Sequence, residues 1–143
     1  MAVTTVNSNH YKFQLATKKI DFSTDVFRAI LMKPTFVFNK DTHATYADVI
    51  VGEIATGFGY TQGTITLTGV TIAEDDTGDR CYVTWSNFQV IAAGGAIEDF
   101  GGLIVFDDTT VDNTVIFCSN FDTTISLTDG LHFVTNSIAV EIA

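Results

Sequence analysis

Two acidic clusters are the first places in this sequence where side chains could do chemistry. Glu74-Asp75-Asp76-Thr77-Gly78-Asp79 brings Asp75, Asp76 and Asp79 close together, and Asp107-Asp108 is followed by Asp112. Calcium takes several oxygen ligands from a flexible loop, so either cluster could hold it. The first lacks the D-x-D-x-D-G order of a dedicated calcium loop, and Asp and Gly are also ordinary turn residues. Asp75, Asp76 and Asp79 therefore stand as the first metal candidate, with each loop weighed against a plain turn. His43, in Asp41-Thr42-His43, reads as a capping or loop residue. Tyr82 and Trp85 could stack on a sugar, and Phe58 and Tyr60 could present aromatic rings to a glycan. A core position for Trp85 is the simpler reading, because large aromatics dominate sandwich cores.

Other catalytic signatures are missing from the sequence. It contains no G-x-S-x-G elbow, P-loop, H-E-x-x-H or Rossmann glycine set. Gly94-Gly95 and Gly101-Gly102 have no following helix to hold a phosphate, so they read as strand hinges. Carboxyl pairs for acid–base work could form between loops, but nothing in the sequence selects any two. No catalytic or cofactor-binding residue is expected, and no enzyme activity.

Cys81 and Cys118 both lie among apolar residues and read as buried, reduced thiols suited to a reducing cytoplasm. A disulfide between neighbouring strands is the alternative, which spacing does not decide. With His10, His43 and His132 scattered, the cysteines form no zinc pattern. Seventeen acidic against seven basic residues give a net charge of −10. No basic patch can neutralise several phosphates, so a nucleic-acid partner is not expected. The acidity serves solubility or faces a basic partner surface. No apolar run approaches the ~18 residues of a membrane span, and the first nine residues show no basic-then-apolar export signal.

The elements that must position these residues are strands. The chain is 46% hydrophobic and only 17% charged, and Thr, Val, Ile, Phe and Gly dominate. Cys81, Val83 and Trp85 alternate with Tyr82, Thr84 and Ser86, and the phase slips at Ser86-Asn87, which predicts a bulge. Leu103-Ile104-Val105-Phe106 predicts a second central strand ending at Asp107-Asp108. Tyr11, Phe13 and Leu15 alternate and predict a first strand, with Phe27, Ala29 and Leu31 in a second. Residues 64–73 predict one strand with a bulge at Gly69. Val115-Ile116-Phe117-Cys118 predicts another, 120–130 a loop or short edge strand, and Ile138, Val140 and Ile142 share a face at the end. Residues 39–56 predict a long, partly helical loop, with Tyr46, Val49, Ile50 and Ile54 at roughly helical spacing. The expected architecture is all-β: an antiparallel, jelly-roll-like sandwich of about eight strands. It covers residues 10–143 as one domain, behind a flexible arm over 1–9. Cys81, Val83, Trp85, Leu103, Val105 and Phe117 are its expected core.

Several stretches carry a resemblance. They are Tyr11-Lys12-Phe13, the run from Phe27 through Leu31 to Met32, and Asn39-Lys40-Asp41-Thr42-His43. Further along are Glu53-Ile54-Ala55-Thr56-Gly57 with Tyr60, Glu74-Asp75-Asp76, and Thr84-Trp85-Ser86-Asn87. Over most of its length the chain resembles a family of small virion structural proteins of tailed bacteriophages. The resemblance implies a protein made in the host cytoplasm and located in the virion. Its implied role is to decorate or cement the capsid through contacts with the major capsid protein or other virion proteins, as a homo-oligomer. A neck, tail or fibre position is the alternative within the virion. A carbohydrate-binding β-sandwich module is the alternative of another class. The resemblance implies no active-site residues. The absence of heptads and fibrous repeats favours decoration over a shaft.

Overall fold

The apolar run Leu103-Ile104-Val105-Phe106 lies in the second half of an eleven-residue inner strand in the computed structural model, which describes residues 3–142. In chain order the elements are β1 (Thr4–Asn7), α1 (Asn9–Ala16), β2 (Phe27–Met32), α2 (Tyr46–Val49) and a 3-10 turn (Ile50–Gly52). They continue with β3 (Ile65–Thr66), β4 (Thr71–Asp75), β5 (Arg80–Trp85), β6 (Gln89–Ile91), β7 (Ile97–Asp107), β8 (Val115–Leu127), β9 (His132–Val134) and β10 (Ile138–Ile142). A five-stranded sheet has the order β1-β8-β7-β2-β3, a three-stranded sheet β10-β5-β4, and β6 pairs with β9. Every pairing is antiparallel, so the domain is all-β and sandwich-like.

Both faces of the large sheet are covered, which explains the unbroken apolar runs Ala29-Ile30-Leu31-Met32 in β2 and Leu103-Ile104-Val105-Phe106 in β7. On the inner face Phe27, Ala29, Leu31, Leu103, Val105 and Phe117 meet Val83, Trp85, Ile138 and Val140 of the second sheet. Trp85 lies 5.2 Å from the Phe27 ring and 6.1 Å from Phe22, centroid to centroid. On the outer face Ile30, Met32, Ile104, Phe106, Val115 and Cys118 are roofed by Phe36, Phe38, Tyr46 and Val49. The predicted helical loop is therefore the lid of a second small core.

Five expectations about the elements need correction. The Tyr11, Phe13 and Leu15 alternation belongs to a helix, α1. Ser8 Oγ accepts from the Tyr11 amide at its N-terminus, and residues four apart sort its faces. Tyr11 and Leu15 turn inward, His10 and Gln14 reach Asp112, and Phe13 is left 61% exposed. Of the stretch read as a loose arm, residues 4–7 are edge strand β1 against β8 and Asn9 opens α1; Met1 and Ala2 lie outside the described residues. Residues 64–73 are two strands in different sheets. Gly69, at φ +67, turns the chain between them, a conformation a side chain resists. The slip at Ser86-Asn87 marks a change of sheet rather than a bulge, since β6 leaves β5 to pair with β9. Residues 120–127, read as a loop or short edge strand, instead extend β8 to thirteen residues.

The core list holds for Val83, Trp85, Leu103, Val105 and Phe117, but not for Cys81. Cys81 pairs with Ile142 at the end of its sheet and is half-buried, whereas Cys118 is buried in β8. Both are free thiols, and burial pushes the Cys118 thiol up to about 12. Only a thiolate attacks an alkylating reagent, so Cys81 is expected to label in the folded protein and Cys118 only after unfolding. Equal labelling rates, followed by peptide mass spectrometry, would contradict this arrangement.

Candidate functional site

The calcium candidate resolves into a hairpin turn between β4 and β5. Asp75 Oδ2 accepts from Arg80 Nε at 2.8 Å, and its Oδ1 accepts from the Gly78 amide at 3.1 Å. The Arg80 guanidinium holds the Asp75 carboxyl below the usual carboxylate range. Asp79 takes a left-handed backbone conformation, φ +51, as a turn requires. Among the described residues no group of three or more His, Cys, Asp or Glu is placed to hold a metal ion.

The second acidic cluster is divided among three tasks. Asp107 is buried under the sheet end. Asp108 Oδ2 lies 3.0 Å from Arg28 Nε, an ionic contact without hydrogen-bond alignment. Asp112 contacts His10 Nε2 at 2.7 Å and accepts from Thr114 Oγ1 at 2.6 Å. Burial works against the Asp112 charge, but the hydrogen bonds from Thr114 and His10 outweigh it and lower its pKa. His43 Nδ1 accepts from the Asn39 amide at 2.9 Å, and its ring lies 5.2 Å from Phe36 and 5.6 Å from Phe38.

The aromatic residues do not make a sugar platform. Trp85 faces the core, while Tyr82, on the opposite face of β5, lies under the Arg80 guanidinium, 4.8 Å from its ring centre. Tyr60 is buried, and Phe58 alone of the named candidates is exposed.

The most ordered polar constellation centres on Glu53, which sequence reasoning did not single out as a site. Its side chain is only 2% exposed. Tyr46 Oη donates to Glu53 Oε2 at 2.6 Å, Tyr60 Oη to Oε1 at 2.7 Å, and the Gly63 amide to Oε1 at 2.8 Å. Tyr60 Oη in turn accepts from the Leu31 amide of β2 at 3.0 Å. Burial first, and the Glu53 carboxyl after it, raise both tyrosine hydroxyls above the ordinary phenol range; the Leu31 amide opposes this at Tyr60. Tyr46 stacks on Phe106 in the outer core at 4.6 Å, whereas Tyr60 belongs to the inner one. Glu53 thus ties the two cores together around β2. Every polar atom faces another protein group, so the cluster is a strut rather than an open site. The signal in the sequence was a lone acid in an apolar stretch, with tyrosines seven residues away on either side.

What the fold leaves open is a seam. β1 ends the large sheet and β10 ends the smaller one, and the two edges face each other. Asn7 Nδ2 crosses between them to the Glu141 carbonyl at 3.1 Å. Two clefts flank this crossing, of about 430 and 840 Å³, with Thr5 and Ala139 in the walls of both. The smaller is walled by Val3, Leu103, Phe121, Phe133 and Ile138 among others, and no charged side chain lines it. β1 itself, Thr4-Thr5-Val6-Asn7, is uncharged. Edge strands are usually guarded by lysine, proline or a bulge, and β1 has none of these.

No protein-family model matches this chain, and neither a curated protein nor a solved structure shows significant similarity to it.

Proposed function

We propose that this protein is a structural component of a tailed-bacteriophage virion that decorates or cements the capsid through subunit contacts. The resemblance motivates the reading, and the seam is the observation that carries it. In a chain of net charge −10, a charge-free cleft beside an unguarded strand edge is the place where another polypeptide approaches at least electrostatic cost. An extended, uncharged segment of a neighbouring virion subunit would add to the β1 edge and set apolar side chains in the cleft. Repetition of that contact over a shell, with this protein as a symmetric oligomer, multiplies weak contacts into firm attachment. Acidic residues stay at the rim, so added salt weakens the contact only modestly. A neck, tail or fibre site would use the same surface at lower copy number.

Co-sedimentation of the purified protein with shells of the phage's major capsid protein tests this reading. The wild type is expected to pellet with the shells. Thr5→Lys, which sets an ammonium at the wall shared by both clefts, is expected to weaken binding at least roughly tenfold, about 1.4 kcal/mol. Thr128→Lys, at an exposed turn away from β1, is the control. Failure of the wild type to pellet, or equal binding by Thr5→Lys, would contradict the proposal.

A further inference from the structure

Asp107 is a fully buried acid at the end of β7, and only one of its carboxyl oxygens is hydrogen-bonded. Its Oδ1 accepts from the Thr109 amide at 2.8 Å and the Thr110 amide at 3.4 Å, which starts the 107–114 loop. Its Oδ2 is buried and has no hydrogen-bond partner. Beside it stands the carboxyl of Asp25, from the 21–26 turn, close enough to share a hydrogen bond once Asp107 is protonated. Asp25 Oδ2 accepts from the Asp21 amide at 2.8 Å, which fixes its orientation. Turn and loop are also joined by the Val26 amide to Thr109 Oγ1 and by the Asp108 amide to the Val26 carbonyl, each at 2.8 Å.

We propose that Asp25 and Asp107 share one proton, and that this proton latches the 21–26 turn to the 107–114 loop, so that the loop loosens when the proton leaves. Two adjoining carboxyls do not both ionise at low cost, and a buried acceptor without a partner is costly. A single O–H···O bond between them removes both penalties. The charged groups of the surrounding elements leave this pair without a counter-ion. From the turn come Asp21 and Asp25, and the Asp21 carboxyl is engaged by Ser23. From β2 comes Arg28, whose Nε meets Asp108 and whose Nη1 donates to the Gly63 carbonyl. From the loop come Asp108 and Asp112, and from α1 His10, which meets Asp112.

Burial first, and Asp25 second, push Asp107 up to about 7. Its carboxyl in the unfolded chain titrates near the ordinary value of about 3.9. Between those values the native state holds a proton that the unfolded state has released. Stability from the latch is thus complete below about pH 4, falls as the pH rises, and is gone above about pH 7. The loop it secures carries the fully exposed Val111, and Asp112 in it braces α1 through His10 and Gln14. Loss of the latch therefore frees an exposed loop at one end of the large sheet while both cores stay packed.

Hydrogen exchange on the full chain tests the latch, read as protection of the Asp108, Thr109, Thr110 and Thr114 amides after correction for intrinsic rates. In the wild type, protection is expected to drop roughly a hundredfold between about pH 5 and pH 8. Asp107→Asn gives Asp25 a permanent N–H donor, so its protection is expected to stay level across that range; Asp25→Asn is a second variant with the same expectation. A level wild-type profile, or variants that follow the wild-type drop, would overturn the proposal. So would recovery of protection at pH 8 on adding millimolar calcium, which would assign the pair to a cation in place of a proton.

Discussion

Replacement of Glu53 by leucine is expected to cost about 3–5 kcal/mol of folding stability, among the largest losses any single substitution in this chain should produce. The side chain accepts three hydrogen bonds where water does not reach. Leucine at this site would leave the Tyr46 and Tyr60 hydroxyls and the Gly63 amide without their acceptor. Each abandoned buried donor costs about 1–3 kcal/mol, less what local relaxation recovers. Glu53→Gln keeps the shape and one acceptor oxygen but turns the other into a donor, so an intermediate loss of about 1–3 kcal/mol is expected. Urea unfolding should show the midpoint falling in the order wild type, glutamine, leucine, with the slope unchanged. A leucine variant as stable as the wild type would show that Glu53 is not the strut between the two cores.

Trp85→Ala is expected to cost a similar amount, about 3–5 kcal/mol, for a different reason. Here the loss is apolar contact and a cavity against Phe22 and Phe27, with no hydrogen bond at stake. Trp85→Phe keeps a ring in the gap and should recover a large part of the loss. Because Trp85 is the one tryptophan, the wild-type emission should shift to longer wavelength on unfolding in step with the circular dichroism. A well-folded, near-wild-type Trp85→Ala variant that lost retention on a glycan column would restore the sugar-platform reading, which the burial of this side chain opposes.

The central strands were legible because burial on both faces writes a continuous apolar run, as in Leu103-Ile104-Val105-Phe106, and a half-buried strand writes an alternation, as in Val83 and Trp85. Helix α1 was not. Tyr11, Phe13 and Leu15 fit a period of two as well as the spacing of four that the fold uses, and Ser8 as its cap was the one local sign. The second half of β8 was hidden by its own exposure. Apart from Phe121 and Leu127 its side chains face solvent or lie at the margin, so hydropathy makes it look like a loop. The split at Gly69 and the change of sheet after Trp85 are tertiary events, and phase slips alone do not distinguish them from bulges. The acidic turn around Asp75 was readable as a turn from composition. The Glu53 strut and the Asp25–Asp107 pair were not, because each joins residues whose proximity depends on the completed sheet.

Quantitative mass spectrometry of washed phage particles tests the proposed role most directly. If the seam binds neighbours across the shell, the protein should be present at about one copy per major capsid subunit. A handful of copies would place it at the neck or tail instead, and its absence from the particles would contradict the account.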